Sequence, residues 1–235
     1  MNEKIRNLAS VQRTSAVELA TTEIRRCILS GDLVPGGSFS VADLAGQLGV
    51  SHIPVREALR KLETEGLVVL NRGRSASIAP LTAADVQGIY GLRLLIEPEL
   101  AAASVDRHEP AAIERLRRLL REIDDPSPQN ALRAERDFHV VLVRPGASEW
   151  DLRTLDQLHA AALRYSWLLF DPASVSGNDR THCVRVHDRL LGAVVARDAA
   201  AVRSGMQEHL QETEAGLVER LNAIRSMETV AVAAK

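Results

Sequence analysis

Three histidines and one glutamate in the C-terminal half have the residue types and spacing of a divalent-metal site. Glu135 and His139 are four residues apart in the run ERDFHVVL, so both project from one face of a predicted helix. His187 and His209 are equally far in sequence from a predicted turn at Asp198. In an antiparallel helix pair, both imidazoles therefore lie about 16 Å from that turn, at the same level. The set predicts a site for Zn²⁺, with Ni²⁺ or Mn²⁺ as alternatives, and with positions left for water or a ligand.

Two other interpretations of these histidines are open at this stage. They can be surface residues or hydrogen-bonded core residues that bind no metal. Cys183 and His187, four residues apart, form a competing pair of ligands, together with the neighbouring His182, although no fourth partner is evident. The only other cysteine, Cys27, is far away in sequence, and this usage fits a reducing compartment.

A second set of residues has the chemistry to read a DNA duplex. His52, Arg56 and Arg60 recur at i, i+4 and i+8, on the face of a predicted helix opposite its apolar stripe. Arginine can donate two hydrogen bonds to guanine or to phosphate, and His52 can donate or accept at a base edge. Ser51, in the preceding turn, is expected to cap the helix and to donate to a phosphate. A solvated basic face is the alternative interpretation.

The basic tip of a predicted β-hairpin belongs to the same set. Runs 67–70 and 75–79 are rich in β-forming residues and flank Arg72, Gly73 and Arg74. These arginines are expected to enter the minor groove or to contact phosphates.

A third set of residues has the chemistry to bind an anion. Arg93 falls in the apolar stripe of Ile89 and Ile96, so it is expected to face inward, with Glu97 one turn further on. A buried Arg93–Glu97 ion pair is one interpretation, and a fork for a ligand carboxylate is the other. Arg164 and Tyr165, on a later predicted helix, are expected to line the same ligand pocket.

The elements that must position these residues fall into two groups. Residues 15–80 predict three helices followed by a hairpin, the layout of a winged helix-turn-helix, and residues 1–14 a flexible arm. Residues 81–226 predict an all-α bundle, and residues 227–235 predict a tail. Its predicted helices lie near 82–105, 109–123, 128–143, 149–170, 180–197 and 199–226. The predicted fold class is therefore mainly α.

Composition and charge are compatible with this division. The 235 residues are 46% hydrophobic but only 3% aromatic, so the cores must be aliphatic. No stretch approaches eighteen apolar residues and the N-terminus lacks the apolar run of a secretion signal, so we expect a cytoplasmic protein and no membrane partner. Residues 1–80 carry 10 Lys and Arg against 8 Asp and Glu, whereas residues 81–235 carry 19 against 23. This asymmetry has the sign expected of a DNA-binding domain joined to an acidic partner domain.

The run GQLGVSHIPVREALRKLETEGLV, preceded by ILSGDLVPGG, resembles the DNA-binding domain of the GntR family of bacterial transcription regulators. The resemblance covers about residues 15–80 and implies a homodimer on double-stranded operator DNA. The sequence departs from the family at His52, where Arg is usual, and at Ala42, where a charged or polar residue is usual. Both changes remove positive charge, so we expect an altered operator or weaker binding.

The runs GLRLLIEPELAAA, ERDFH and VHDRLLGAVVARDAAAVRSGMQEHL are similar to the helical effector domain of the FadR subfamily. This resemblance covers about residues 82–225 and implies that residues 81–226 form an effector-binding and dimerisation domain. Within that domain, the resemblance implies a divalent metal held by Glu135, His139, His187 and His209. It also implies that Arg93 helps to bind an acidic effector. Glu135 departs from the usual Asp by one methylene, which keeps the carboxylate but changes its reach.

These observations predict a metabolite-responsive transcription regulator, a repressor rather than an activator, and not an enzyme. A small carboxylate bound at the metal would modulate operator affinity. Two alternatives are a regulator whose metal is purely structural, with no effector, and a helical metallohydrolase. The sequence contains no Walker A, GxGxxG, GxSxG or HExxH motif, and no motif places a general base or nucleophile.

Overall fold

The structure, a computed structural model, describes residues 15–29, 32–71, 75–170 and 177–233, with side chains apart from those of 29, 167–170, 177–180 and 227–233. Its helices and strands are α1 (Ala16–Leu29), β1 (Ser38–Ser40), α2 (Val41–Leu48), α3 (His52–Thr64), β2 (Val68–Leu70), β3 (Ser75–Ile78), α4 (Ala83–Ser104), α5 (Pro110–Ile123), α6 (Pro128–Val143), α7 (Glu149–Phe170), α8 (Gly177–Val195) and α9 (Ala199–Ala233). Single 3-10 turns follow α4 and α6, at Val105–Arg107 and Arg144–Gly146. The mainly α prediction and the order of its elements are confirmed.

The first three helices pack around one aliphatic core. Four residues of α3 are completely buried, at the spacing of one helix face: Val55, Ala58, Leu59 and Leu62. They meet the buried face of α1, which includes Ile24. Gly49 ends α2 with a φ of 65°, a left-handed conformation that glycine adopts without steric cost, and this tight turn sets the start of α3.

A small antiparallel sheet completes this N-terminal unit, with strand order β1-β3-β2. The predicted hairpin is confirmed, with Val68 opposite Ile78. Strand β1 was not predicted, because only Ser38, Phe39 and Ser40 form it and a helix begins at the next residue. It pairs with β3 through the register Phe39 opposite Ala76. The hairpin tip at 72–74 and the arm at 1–14 lie outside the described residues.

The remaining helices surround a second, separate core that runs from Val86 to Leu221. α4 lies at its centre and packs along α9, while α5 and α6 form a neighbouring pair. The turn between α8 and α9 contains Arg197 at a φ of 56° and falls at Asp198, as the sequence predicts. α9 continues to Ala233 and so includes residues that were expected to form a tail. Within the described residues, no helix combines the length and apolar composition needed to cross a bilayer.

The two serines that precede the helix-turn-helix helices behave differently. Ser40 has extended backbone angles and its hydroxyl accepts a hydrogen bond from the Asp43 amide at 3.0 Å, which caps α2. Ser51 also has extended angles, but its side chain makes no capping bond to α3. The expectation that Ser51 caps α3 is therefore wrong, and its hydroxyl is exposed to solvent at the start of the helix.

This difference predicts unequal effects of two otherwise identical substitutions. Ser40→Ala leaves the Asp43 amide without its acceptor, so the free energy of unfolding should fall by about 1 kcal/mol. Ser51→Ala, the matched control, removes no capping bond and should change that free energy by less than about 0.5 kcal/mol. Urea denaturation followed by far-UV circular dichroism measures both values. Equal losses would contradict the assignment of the caps.

Candidate metal centre and nucleic-acid interface

The four predicted metal ligands converge in the helical domain. Glu135 and His139 come from α6, His187 from α8 and His209 from α9, and one ligand atom of each lies within 4.8 Å of the others. His139 and His187 are fully buried, and His209 is 7% exposed. The ring centroids of His187 and His209 are 4.7 Å apart, which confirms that their equal distance from the α8–α9 turn brings them to one level. The convergence of these four residues can therefore be predicted from their spacing.

The Nε2 atoms of His139 and His209 face each other at 3.2 Å. Two nitrogen ligands of a tetrahedral Zn²⁺, each at about 2.0–2.1 Å from the ion, lie about 3.3 Å apart. Glu135 adds a carboxylate oxygen 3.5 Å from His139 Nε2. This separation and this donor set fit a divalent transition metal, because imidazole and carboxylate ligands suit Zn²⁺, Ni²⁺ and Mn²⁺.

Hydrogen bonds orient two of the three imidazoles toward the same point. His139 Nδ1 lies 2.7 Å from Glu97 Oε2, and an ionised carboxylate only accepts, so Nδ1 carries the proton and Nε2 keeps its lone pair. His187 Nδ1 likewise donates to the Cys183 carbonyl oxygen at 2.8 Å. Among the described residues, no hydrogen-bond partner reaches the buried His187 Nε2. A buried imidazole nitrogen with a lone pair and no partner is what a metal ligand requires.

Burial keeps the rings of His187 and His209 neutral and ready to act as ligands. Desolvation, reinforced by the nearby His139, lowers the pKa of His187 to about 4. Desolvation and the nearby His187 and His139 lower the pKa of His209 well below its ordinary value. Both rings are therefore unprotonated at neutral pH, and no proton has to leave before a metal binds.

A fully buried carboxylate, Glu97 on α4, supports the cluster. Arg93 Nε donates to Glu97 Oε1 at 2.6 Å, and His159 Nε2 on α7 donates to the same oxygen at 3.0 Å. Burial by itself raises the pKa of Glu97, but Arg93, His159 and His139 outweigh it and hold that pKa well below the ordinary value. The buried Arg93–Glu97 pair, one of the two interpretations of the sequence, is thus present.

Glu97, His139 and His159 form a second group with metal-ligating atoms. Hydrogen bonds already account for it, because both imidazoles donate to the carboxylate. The Arg93 guanidinium also lies against Glu97, and a cation there would repel a second one. The competing Cys183 set is not supported either, since Cys183 Sγ lies 3.7 Å from His187 Nδ1, the nitrogen that is turned away from the cluster.

Sequence reasoning missed the part played by His159. It occupies a buried position in an otherwise apolar stripe of α7, with Leu155 and Ala162. A histidine in such a stripe is the signal that would have indicated it, because a buried imidazole needs a polar partner.

Arg164 and Tyr165, expected to line the effector pocket, have their polar partners elsewhere. Arg164 donates to the main-chain carbonyls of Gly66, Ala79 and Pro80 in the N-terminal unit, the Ala79 bond being 2.8 Å long. The Tyr165 hydroxyl lies 3.3 Å from the Asp85 carboxylate at the start of α4. Arg164 therefore acts at the junction between the two units, whereas the Tyr165 hydroxyl bonds within the helical domain, and the effector site proposed below uses neither residue.

The predicted DNA-reading residues are exposed on α3. Ser51, His52, Arg56 and Arg60 all face solvent, opposite the buried stripe. Arg60 pairs with Glu57 at 2.8 Å, a surface ion pair that a phosphate or a base could replace at little cost. Arg72, Gly73 and Arg74 lie outside the described residues, so their place in this surface stays a prediction.

Family models match both units of the chain. The model of bacterial regulatory proteins of the gntR family matches residues 17–78, and the FCD domain model matches residues 88–212. The HTH-type transcriptional regulator LutR of Bacillus subtilis is 28% identical over 211 residues, which cover 80% of this chain and 94% of LutR. The HTH-type transcriptional repressor RspR of Escherichia coli is 25% identical over 193 residues, 80% of this chain and 83% of RspR.

A solved structure shares the fold along most of the chain. The structure of E. coli McbR/YncC superposes with a TM-score of 0.71 at 21% identity, covering 89% of this chain and all of that one. The site geometry, the two matched models and the shared fold agree on one conclusion. The chain belongs to the GntR family of bacterial regulatory proteins, as a DNA-binding transcription regulator that carries an FCD domain.

Proposed function

We propose that this regulator is a metabolite-responsive repressor whose FCD domain binds a divalent metal and, through it, a small carboxylate. The observation that carries the proposal is that one ligand atom each of Glu135, His139, His187 and His209 lies within 4.8 Å of the others, with the Nε2 atoms of His139 and His209 3.2 Å apart. A homodimer would place two α3 helices on a two-fold operator, and the carboxylate would change their relative position.

The metal would be held by Glu135, His139, His187 and His209. When bound, it supplies a positive charge that attracts a carboxylate and leaves coordination positions for it. Zn²⁺ suits this donor set best, with Ni²⁺ and Mn²⁺ as alternatives. Glu97 fixes the ring of His139 through its Nδ1, so the lone pair of Nε2 stays directed at the ion.

Arg93 supports the assignment of a carboxylate effector. Arg93 is 4% exposed, and its guanidinium lies over the Tyr90 ring at 4.8 Å. It donates to Glu97, the carboxylate that also accepts from His139, so its charge lies next to the cluster. A ligand carboxylate between the metal and Arg93 would meet positive charge on two sides.

A purely structural metal is the second candidate function of the site. The burial of His139 and His187 favours it, since a closed site joining α6, α8 and α9 would stabilise the bundle without any ligand. The two candidates differ in whether an added carboxylate changes the stability of the metal-loaded protein.

Glu97→Gln tests the metal site without touching a ligand. The neutral amide holds the His139 ring less firmly, so the dissociation constant for Zn²⁺ should rise about 10–100-fold. Glu99→Gln is the matched control, because Glu99 lies on the same helix and pairs at the surface with Arg203 at 2.8 Å. Competition with a fluorescent zinc chelator measures both constants. Equal affinities of wild type and Glu97→Gln would contradict the role given to Glu97.

Arg56→Ala tests the recognition helix. The operator is first selected from a random duplex library with the wild-type protein. Loss of Arg56 should weaken binding to that operator by about 1–3 kcal/mol and relax the base preference at one position. Arg118→Ala removes the same charge from the exposed face of α5 and should leave affinity unchanged. Fluorescence anisotropy gives the affinities, and an unaltered value for Arg56→Ala would show that α3 is not the reading helix.

A thermal-shift screen tests the effector and separates the two candidate functions. The chelated protein and the Zn²⁺-reloaded protein are compared against sugar acids, hydroxy acids, keto acids and dicarboxylates. Since a ligand stabilises in proportion to RT ln(1 + [L]/Kd), a saturating effector at 100 times Kd should add about 2.7 kcal/mol, only with metal present. A large shift with Zn²⁺ and none with any acid would favour the structural metal.

A further inference from the structure

Arg164 joins the FCD domain to the DNA-binding unit through main-chain atoms alone. Its two terminal nitrogens donate to Gly66, just after α3, and to Ala79 and Pro80, just after β3, at 2.8 Å and 3.2 Å for the last two. Arg164 is 8% exposed, and among the described residues no partner reaches its Nε. One planar guanidinium thus holds both ends of the β2–β3 hairpin.

The Gly66 carbonyl belongs to the turn that ends α3, the recognition helix. α3 ends with the Leu67 amide bonded to the Leu62 carbonyl at 2.9 Å and the Gly66 amide bonded to that of Glu63. Gly66 has a φ of 70°, so it is the left-handed residue of this helix end. The guanidinium therefore lies at the negative end of the α3 dipole, where a cation is favoured. If α7 shifts within the bundle, Arg164 must either displace the end of α3 or lose its hydrogen bond to the Gly66 carbonyl.

α7, the helix that carries Arg164, is also connected to the candidate metal cluster through Glu97. His159, five residues before Arg164 on α7, donates to Glu97 Oε1, and Glu97 Oε2 accepts from the metal-cluster residue His139. The rise from His159 to Arg164 along the helix is about 7.5 Å. Hydrogen bonds and one rigid helix thus connect the cluster to the end of the recognition helix without a break.

We propose that Arg164 is the positioning residue through which occupancy of the metal cluster sets the placement of α3. This coupling rests on the metal site of the proposed function, whereas the clamp on the hairpin does not. α7 is the connecting element: Glu97 and His159 fix it to the cluster, and Arg164 fixes it to the DNA-binding unit. Because the acceptors are main-chain carbonyls, the clamp depends on backbone geometry and responds to small displacements of α7.

Hydrogen–deuterium exchange of the full chain tests both parts, with the metal itself as the probe. The reporters are peptides that contain the Leu67 and Ala79 amides, which bond to the Leu62 and Leu67 carbonyls. Wild type, Arg164→Met and Arg164→Lys are measured with chelator and with Zn²⁺. Arg153→Met is the matched control, because Arg153 lies exposed on the same helix with its guanidinium 4.5 Å from the Trp150 ring centroid. Peptides of α5 serve as the reference for global stability.

In the chelated protein, the reporter amides of Arg164→Met should exchange about tenfold faster than those of wild type, whereas the exchange rates of the α5 peptides should be unchanged. Arg164→Lys keeps one donor group and should be intermediate, and Arg153→Met should match wild type. Zn²⁺ should alter reporter exchange in wild type and in Arg153→Met. It should not do so in Arg164→Met, even though titration with a fluorescent chelator shows that this variant still binds Zn²⁺.

Two results would overturn the inference. Equal reporter exchange in chelated wild type and Arg164→Met would exclude the clamp. A Zn²⁺ effect on the reporters that persists in Arg164→Met, or that is absent from a wild type shown to bind Zn²⁺, would exclude the coupling. Failure of wild type to bind Zn²⁺ would instead refute the metal site and with it the coupling, while the chelated comparison would still decide the clamp.

Discussion

The helical domain is organised around one buried negative charge. Glu97 has no exposure to solvent, and three helices supply the donors that compensate it: Arg93 from α4 itself, His139 from α6 and His159 from α7. An uncompensated carboxylate at this depth would cost several kcal/mol, so these side chains are constrained to meet. The hydrogen bond to Glu97 fixes the tautomer of His139, so the lone pair of its Nε2 points toward the other candidate metal ligands. The same carboxylate determines where α7 lies.

This arrangement links two sites that are distant in sequence: the buried histidine cluster and the end of α3. Through His159, α7 donates a hydrogen bond to Glu97 beside the cluster. Through Arg164, it donates three hydrogen bonds to main-chain carbonyls of the DNA-binding unit. The two units have separate aliphatic cores, so their relative placement depends on the contacts at the junction, among them the Arg164 hydrogen bonds and the packing of α1 against α7. In a DNA-binding regulator of the GntR family, such contacts are where a bound ligand can act on the recognition helix. The proposed metal and carboxylate would lie at the start of this connection.

Features that depend on residues close together in sequence could be predicted, whereas features that depend on long-range contacts could not. Helix periodicity and glycine punctuation located α1 to α9, and the equal spacing of His187 and His209 from one turn located the cluster. Strand β1 was missed because its three residues acquire their conformation from pairing with β3. The Arg164 clamp could not be predicted, because its acceptors are main-chain carbonyls that leave no signal in the sequence. Arg93 had two interpretations: the structure shows the ion pair with Glu97, whereas its part in binding a carboxylate stays a proposal.

The central claim is that three buried imidazoles, of which His139 is oriented by Glu97, bind a metal. The zinc-edge X-ray absorption spectrum of the Zn²⁺-loaded full chain tests it most directly. We expect only nitrogen and oxygen neighbours at about 2.0–2.2 Å, with the multiple-scattering signature of three imidazole rings from His139, His187 and His209. A sulfur neighbour at about 2.3 Å would place Cys183 in the site instead. Oxygen neighbours without imidazole scattering would contradict the account, because the ion would then lie outside the cluster.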